Sequence, residues 1–125
     1  MMNVRTSLPL LLSKMSELPE FVELTLTDAN QPGNFGNRPL HVAATWNDPA
    51  AIELLVENGA DVNAAGEDEM TPLHRAAAAG NFDAASTLLR LGARLDLKDR
   101  DGVTPLELAQ SLNRRSVVTL LRRAK

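Results

Sequence analysis

The segment Met70-Thr71-Pro72-Leu73-His74-Arg75-Ala76-Ala77 has two counterparts, one on each side, at a step of 33 residues: Asn37-Arg38-Pro39-Leu40-His41-Val42-Ala43-Ala44 and Val103-Thr104-Pro105-Leu106-Glu107-Leu108-Ala109-Gln110. The pairs Gly59-Ala60 and Gly92-Ala93 keep the same step. A fixed period of this length means that each unit is one supersecondary element that buries its apolar side only against its neighbours, so the chain reads as a stacked array.

Local chemistry gives each unit two antiparallel helices. Thr71 before Pro72 and Thr104 before Pro105 are N-cap hydroxyls followed by the residue that best tolerates the first helical position. Asp48-Pro49 opens a second helix in the same way. Asn47, Gly80 and Asn113 follow the first helices and suit a left-handed terminating residue, since Gly has no Cβ clash and Asn pays little for that conformation. Gly59 and Gly92 close second helices. The predicted helices are 39–46 and 49–58, 72–79 and 82–91, and 105–112 and 115–124.

The three segments resemble the ankyrin-repeat signature T-P-L-H-x-A-A. The apolar runs Ile52 to Val56, Ala84 to Leu89 and Val117 to Leu121 stand where the family has its second helix. This resemblance covers roughly residues 33–125 and implies an all-α ankyrin-repeat solenoid with short hairpin-like loops. Subtracting one period uncovers a degraded unit: Asp28-Ala29-Asn30 falls on Asp61-Val62-Asn63, Leu8 and Leu11 on His41 and Ala44, and Phe21-Val22 on Leu54-Leu55. The expected organisation is a single domain, 1–125, with an N-terminal capping repeat at 1–32, repeats at 33–65 and 66–98, and a C-terminal capping repeat at 99–125.

Composition narrows the setting. With 125 residues the chain can bury a core sufficient for independent folding. Zero cysteines exclude disulfides and thiolate metal sites, which makes the cytoplasm the expected compartment. Leu8-Pro9-Leu10-Leu11-Leu12 is too short and too interrupted for a secretory signal, and no run approaches the ~20 apolar residues of a membrane span. Arginine and alanine bias suits a bacterial genome.

The net charge of −3 conceals a polarity. Residues 1–70 hold three cations against eleven acids, a balance of −8, whereas residues 71–125 balance at +5. An acidic half argues against nucleic acid as a ligand. The cations Arg114, Arg115, Arg122, Arg123 and Lys125 answer the dipole of a last helix and its solvated outer side. Glu67-Asp68-Glu69, with no cation beside it in sequence, is expected to project into solvent and attract a protein partner carrying a basic patch.

A catalytic or metal site finds no support in the spacing. His41 and His74 occupy equivalent positions of adjacent repeats, ~8 to 10 Å apart by helix packing, too far to share a zinc ion with bonds of ~2 Å. The resemblance gives this histidine a structural hydrogen-bonding role. No cofactor motif is present, and Gly33-Asn34-Phe35-Gly36 lacks the lysine of a phosphate loop and sits at a hairpin tip. The expectation is no enzyme, no metal and no cofactor.

The resemblance implies instead a protein-binding surface on the hairpin tips and the exposed, concave side of the first helices. In the first full unit the candidate residues are Asn34, Phe35, Asn37, Thr45 and Trp46. In the second they are Glu67, Asp68, Met70, Ala78 and Ala79, and in the third Arg100, Asp101, Val103, Ser111 and Leu112. Trp46, with Phe35 and Met70 beside it, is expected to form the apolar centre, since tryptophan is enriched among interface hot spots; covering the N-terminal cap is its competing role. Arg38 replaces the usual threonine cap, which should weaken the first full repeat by ~1 kcal/mol. The chain therefore reads as a non-catalytic interaction module, monomeric on its own, serving either as an adaptor or as an immunity protein that occludes the active site of a bacterial toxin.

Overall fold

The computed structural model describes residues 7–21 and 28–125. Seven α-helices lie among them: α1 (Leu8–Met15), α2 (Pro39–Thr45), α3 (Pro49–Glu57), α4 (Pro72–Ala79), α5 (Phe82–Arg90), α6 (Pro105–Ser111) and α7 (Arg115–Ala124). No strand is present among the described residues. Helices α2 to α7 form three antiparallel pairs stacked side by side, an all-α solenoid.

The helix starts are built as the Thr-Pro pairs require. Thr71 Oγ1 accepts from the His74 amide at 3.3 Å, and His74 Nδ1 accepts from the Thr71 amide at 3.1 Å. Thr104 and Glu107 make the same reciprocal pair, at 3.3 and 3.0 Å. Such a box satisfies two amides that a helix start leaves without partners. At α2 only half of it forms. Arg38 has no acceptor to offer, so its amide donates to His41 Nδ1 at 3.0 Å while its guanidinium turns away to the Asn30 carbonyl at 2.7 Å. Asn47, Gly80 and Asn113 end the first helices at φ of 55°, 71° and 57°, the left-handed conformation the sequence demands at all three.

The loops repeat with the same step. Gly33, Gly66 and Asp99 donate their amides to the carbonyls of Asn37, Met70 and Val103 at 2.7, 2.8 and 2.9 Å, closing three hairpins in one register, of which the middle one also holds Asp68 at a positive φ of 57°. The third turn residue has positive φ in each: Gly36 at 94°, Glu69 at 59° and Gly102 at 76°. Glu69 thus occupies a position that the other two hairpins give to glycine.

The core is continuous along the array, with Leu40, Ile52, Leu55, Leu73, Leu88, Val117 and Leu121 fully buried. Alanines 43, 44, 76, 77 and 109 line the contacts between first helices. Their small side chains let α2, α4 and α6 approach more closely than α3, α5 and α7 do. At the N-terminal end α1 packs on α2 and α3. Asn30 Oδ1 accepts the Asp61 amide at 3.3 Å, as Asn63 Oδ1 accepts the Arg94 amide at 2.9 Å one step later. Phe21, in a short 3₁₀ turn (Pro19–Phe21), is fully buried; Val22, aligned above with Leu55, lies outside the described residues.

Candidate functional site

Three of the buried polar residues, Asn37, His41 and His74, join one repeat to the next. His41 Nε2 donates to the Met70 carbonyl at 2.9 Å, and His74 Nε2 to the Val103 carbonyl at 2.8 Å. Burial pushes the His41 imidazole down to about 4, with its hydrogen bond to Met70 opposing, and lowers His74 in the same way. Both rings are therefore neutral at physiological pH, with Nδ1 as acceptor and Nε2–H as donor. Asp99, also buried, accepts from the amides of Asp101 and Val103 at 2.9 and 3.0 Å.

Asn37 belongs to this scaffold, contrary to its expected place on the binding surface. It is buried at 2% exposure, with Oδ1 accepting the Glu67 amide at 3.0 Å and the amide nitrogen reaching Glu67 Oε1 at 3.4 Å. The carboxamide sits at the base of the hairpin, where it ties one loop to the next. Gly66 is bound to the same contact: a Cβ there would stand 2.5 Å from Asn37 Oδ1 and 2.8 Å from His41 Nε2.

The remaining candidates are exposed or half-buried and fall into two groups. At the hairpin tips lie Phe35, Glu67, Asp68 and Arg100, with Met70 and Val103 half-buried at the base, level with Asn37. Here the sequence expectation for the acidic triplet needs correction. Arg100, 32 residues on from Asp68, donates its amide to the Asp68 carbonyl at 2.9 Å and pairs its guanidinium with the carboxylate at 3.3 Å. Stacking brings this cation beside the triplet, which reading along the chain could not show.

The second group marks the C-terminal ends of the first helices: Thr45 and Trp46, then Ala79, then Leu112. Trp46, Ala79 and Leu112 hold one register position in three successive units and form an exposed row. Trp46 is 37% and Leu112 44% exposed. Phe35 and Trp46 do not sit beside one another as expected. They flank opposite ends of α2, whose seven residues span ~10 Å. What does lie beside Trp46 is Lys14 of α1, its ammonium 5.4 Å from the ring centroid.

Sequence reasoning missed three members of this surface. Arg75 donates from Nε to Thr45 Oγ1 at 3.4 Å, Asn81 donates to the Ala44 and Thr45 carbonyls at 2.9 Å, and Arg114 repeats that bond one unit later to the Ala78 carbonyl at 2.9 Å. The one-period offset from Asn81 to Arg114 was the signal that could have found the last two.

Two family models match the chain, ankyrin repeats (many copies) over residues 40–89 and ankyrin repeats (3 copies) over residues 65–125. Between them they run from the first turn of α2 through α7 and take in the second and third hairpins, and the chain belongs to the ankyrin-repeat family. Ankyrin repeats are in general protein–protein interaction modules. No curated protein matches the chain closely enough to count as a relative. Among the described residues no helix is long and apolar enough to cross a membrane.

Proposed function

We propose that this protein binds a partner protein through its concave face and hairpin tips, without catalysis of its own. The observation that supports this most is the exposed row Trp46, Ala79 and Leu112: large, small and large side chains at one register, none of them required by the repeat. A flat strip with an apolar group at each end suits a helix or extended segment laid across the array. The acidic tip at Glu67 and Asp68 adds charge complementarity toward a basic patch on the same partner, with Arg100 neutralising part of it.

The test is affinity capture from the source organism with the wild-type chain and with Leu112→Asp as parallel baits, followed by mass spectrometry. A partner retained by wild type and lost by the folded Leu112 variant supports the concave site. A partner retained equally by both removes it. Should the captured protein be a toxin whose activity the bound chain abolishes, the inhibitor role replaces the adaptor role on the same surface.

A further inference from the structure

Of the nine asparagines in the chain, Asn58 alone is followed by glycine. The fold requires the glycine. Gly59 sits at φ of 97°, a conformation that residues with a Cβ avoid, and Gly92 repeats it one period later at 102°. The residue in front is not fixed in this way: Asn58, Leu91 and Ala124 hold that position in the three units. Asn58 and Leu91 end α3 and α5 with nearly the same backbone, φ −100° and ψ 19° against φ −89° and ψ 6°. The repeat thus accounts for Gly59 and does not call for Asn58.

The pair has a chemistry of its own. A glycine nitrogen, with no Cβ beside it, is open to the carboxamide of the preceding side chain. Asn58 and Gly59 are both exposed, and among the described residues nothing lies within 4 Å of where a Gly59 Cβ would stand, so water reaches the pair. The Gly59 nitrogen gives its proton to solvent base and attacks Asn58 Cγ. The new N–Cγ bond closes a cyclic imide, while the Cγ–Nδ2 bond breaks and ammonia leaves. One water then opens the imide at either carbonyl, giving aspartate or its β-linked isomer and adding a negative charge.

The closed fold holds the reacting groups apart. At ψ of 19° the Gly59 nitrogen points away from the Asn58 side chain. Its N–H donates to the Val56 carbonyl at 3.1 Å, and Asn58 Nδ2 donates to the Leu54 carbonyl at 2.8 Å. Ring closure needs ψ rotated and both bonds released, which frays the last turn of α3 and leaves the rest of the array standing. Openings of this terminal kind cost least in a folded protein. The product does not fit back. A carboxylate at position 58 has no hydrogen for the Leu54 carbonyl and puts its charge at the negative end of the α3 dipole, beside Glu57. The β-linked isomer also lengthens the backbone by one atom just before the Gly59 turn.

We propose that Asn58 is a site of spontaneous deamidation gated by fraying of α3, and that the conversion irreversibly weakens the first full repeat. The intact chain is aged in mildly alkaline buffer, folded and in urea, then separated by anion exchange and mapped by peptide mass spectrometry. In the folded protein aspartate and its β-linked isomer should accumulate at Asn58 ahead of every other asparagine, at least about tenfold more slowly than in urea. Asn58→Leu, which installs the residue of the next repeat, should fold and give none of this acidic form. The deamidated fraction should unfold at a lower urea midpoint than the unmodified one. No conversion at Asn58 of the folded protein once the chain in urea has converted completely would mean that the fold closes the site, and would overturn the proposal. Another asparagine converting first overturns it as well. Equal rates folded and in urea would remove the gate, and an unchanged urea midpoint would remove the weakening; either result refutes the proposal as stated.

Discussion

His41 crosses the boundary between two repeats to donate from Nε2 to the Met70 carbonyl at 2.9 Å, while its Nδ1 accepts the Arg38 amide at 3.0 Å. One neutral ring thereby holds the start of its own helix and the hairpin of the next unit. A protonated ring would lose the Nδ1 acceptor and carry a charge into a buried site.

Acid should therefore loosen the array. Burial holds the folded pKa of His41 at about 4 against an ordinary 6.5, so the unfolded chain takes up the proton first. The stabilisation is complete above pH 6.5 and is lost as pH falls toward about 4, amounting to roughly 3 kcal/mol across that window, with His74 acting in the same direction. Urea unfolding of wild type should show this acid limb. His41→Gln should be less stable at neutral pH and show a flatter decline; an equally steep decline would place the titrating group elsewhere.

Leu73 is fully buried at the centre of the middle repeat. Leu73→Ala should cost ~2 to 5 kcal/mol, because the surrounding helices cannot collapse into the space left. Thermal unfolding indistinguishable from wild type would contradict this core assignment.

Glu69 should be a stabilising position to mutate. Its φ of 59° lies where the equivalent residues Gly36 and Gly102 stand at 94° and 76°. A non-glycine residue in left-handed backbone is disfavoured by ~1 to 2 kcal/mol, part of which glycine gives back through the entropy of the unfolded chain. Glu69→Gly should raise stability by about 1 kcal/mol net, measured as an increased urea midpoint.

Those hairpins also show what the sequence made legible. The period, the Thr-Pro starts and the positive-φ positions Asn47, Gly80 and Asn113 are local rules, and helix ends predicted from them differ from the observed ones by at most about one residue. Asn37 escaped because its type suits an exposed turn equally well, and only the neighbouring hairpin reveals its partners. Arg100 beside Asp68 and Lys14 over Trp46 are contacts between units. Periodicity locates equivalent residues; it does not say which unlike residues stacking brings together.

The acidic tip tests the electrostatic part of the proposed function. With −8 concentrated in residues 1–70, association with the partner should slow as salt rises, since exposed charges are screened over ~10 Å at 0.1 M. Glu67→Lys with Asp68→Lys should lower the association rate and shift the melting temperature little, because the Asp68–Arg100 pair it breaks is exposed. A rate indifferent to both changes would take the tip out of the interface.

Trp46 carries the sharpest choice. It caps α2 at its C-terminus, 37% exposed, with Lys14 of the cap helix over its ring. Trp46 thus shares the register of Ala79 and Leu112 while its ring lies against Lys14 of α1, and each role makes a different demand. As a hot spot it should lose at least ~2 kcal/mol of binding on truncation, roughly thirtyfold in affinity. As a brace for the cap it should lose stability, but an exposed cation–π contact is worth only ~0.5 to 1 kcal/mol, too little to account for keeping so large a group there. Trp46→Ala is therefore expected to weaken partner affinity about thirtyfold and to lower folding stability by no more than about 1 kcal/mol. Calorimetric titration and urea unfolding of the same preparation measure both. Stability lost with affinity intact in the folded fraction would assign Trp46 to the cap and remove it from the partner site.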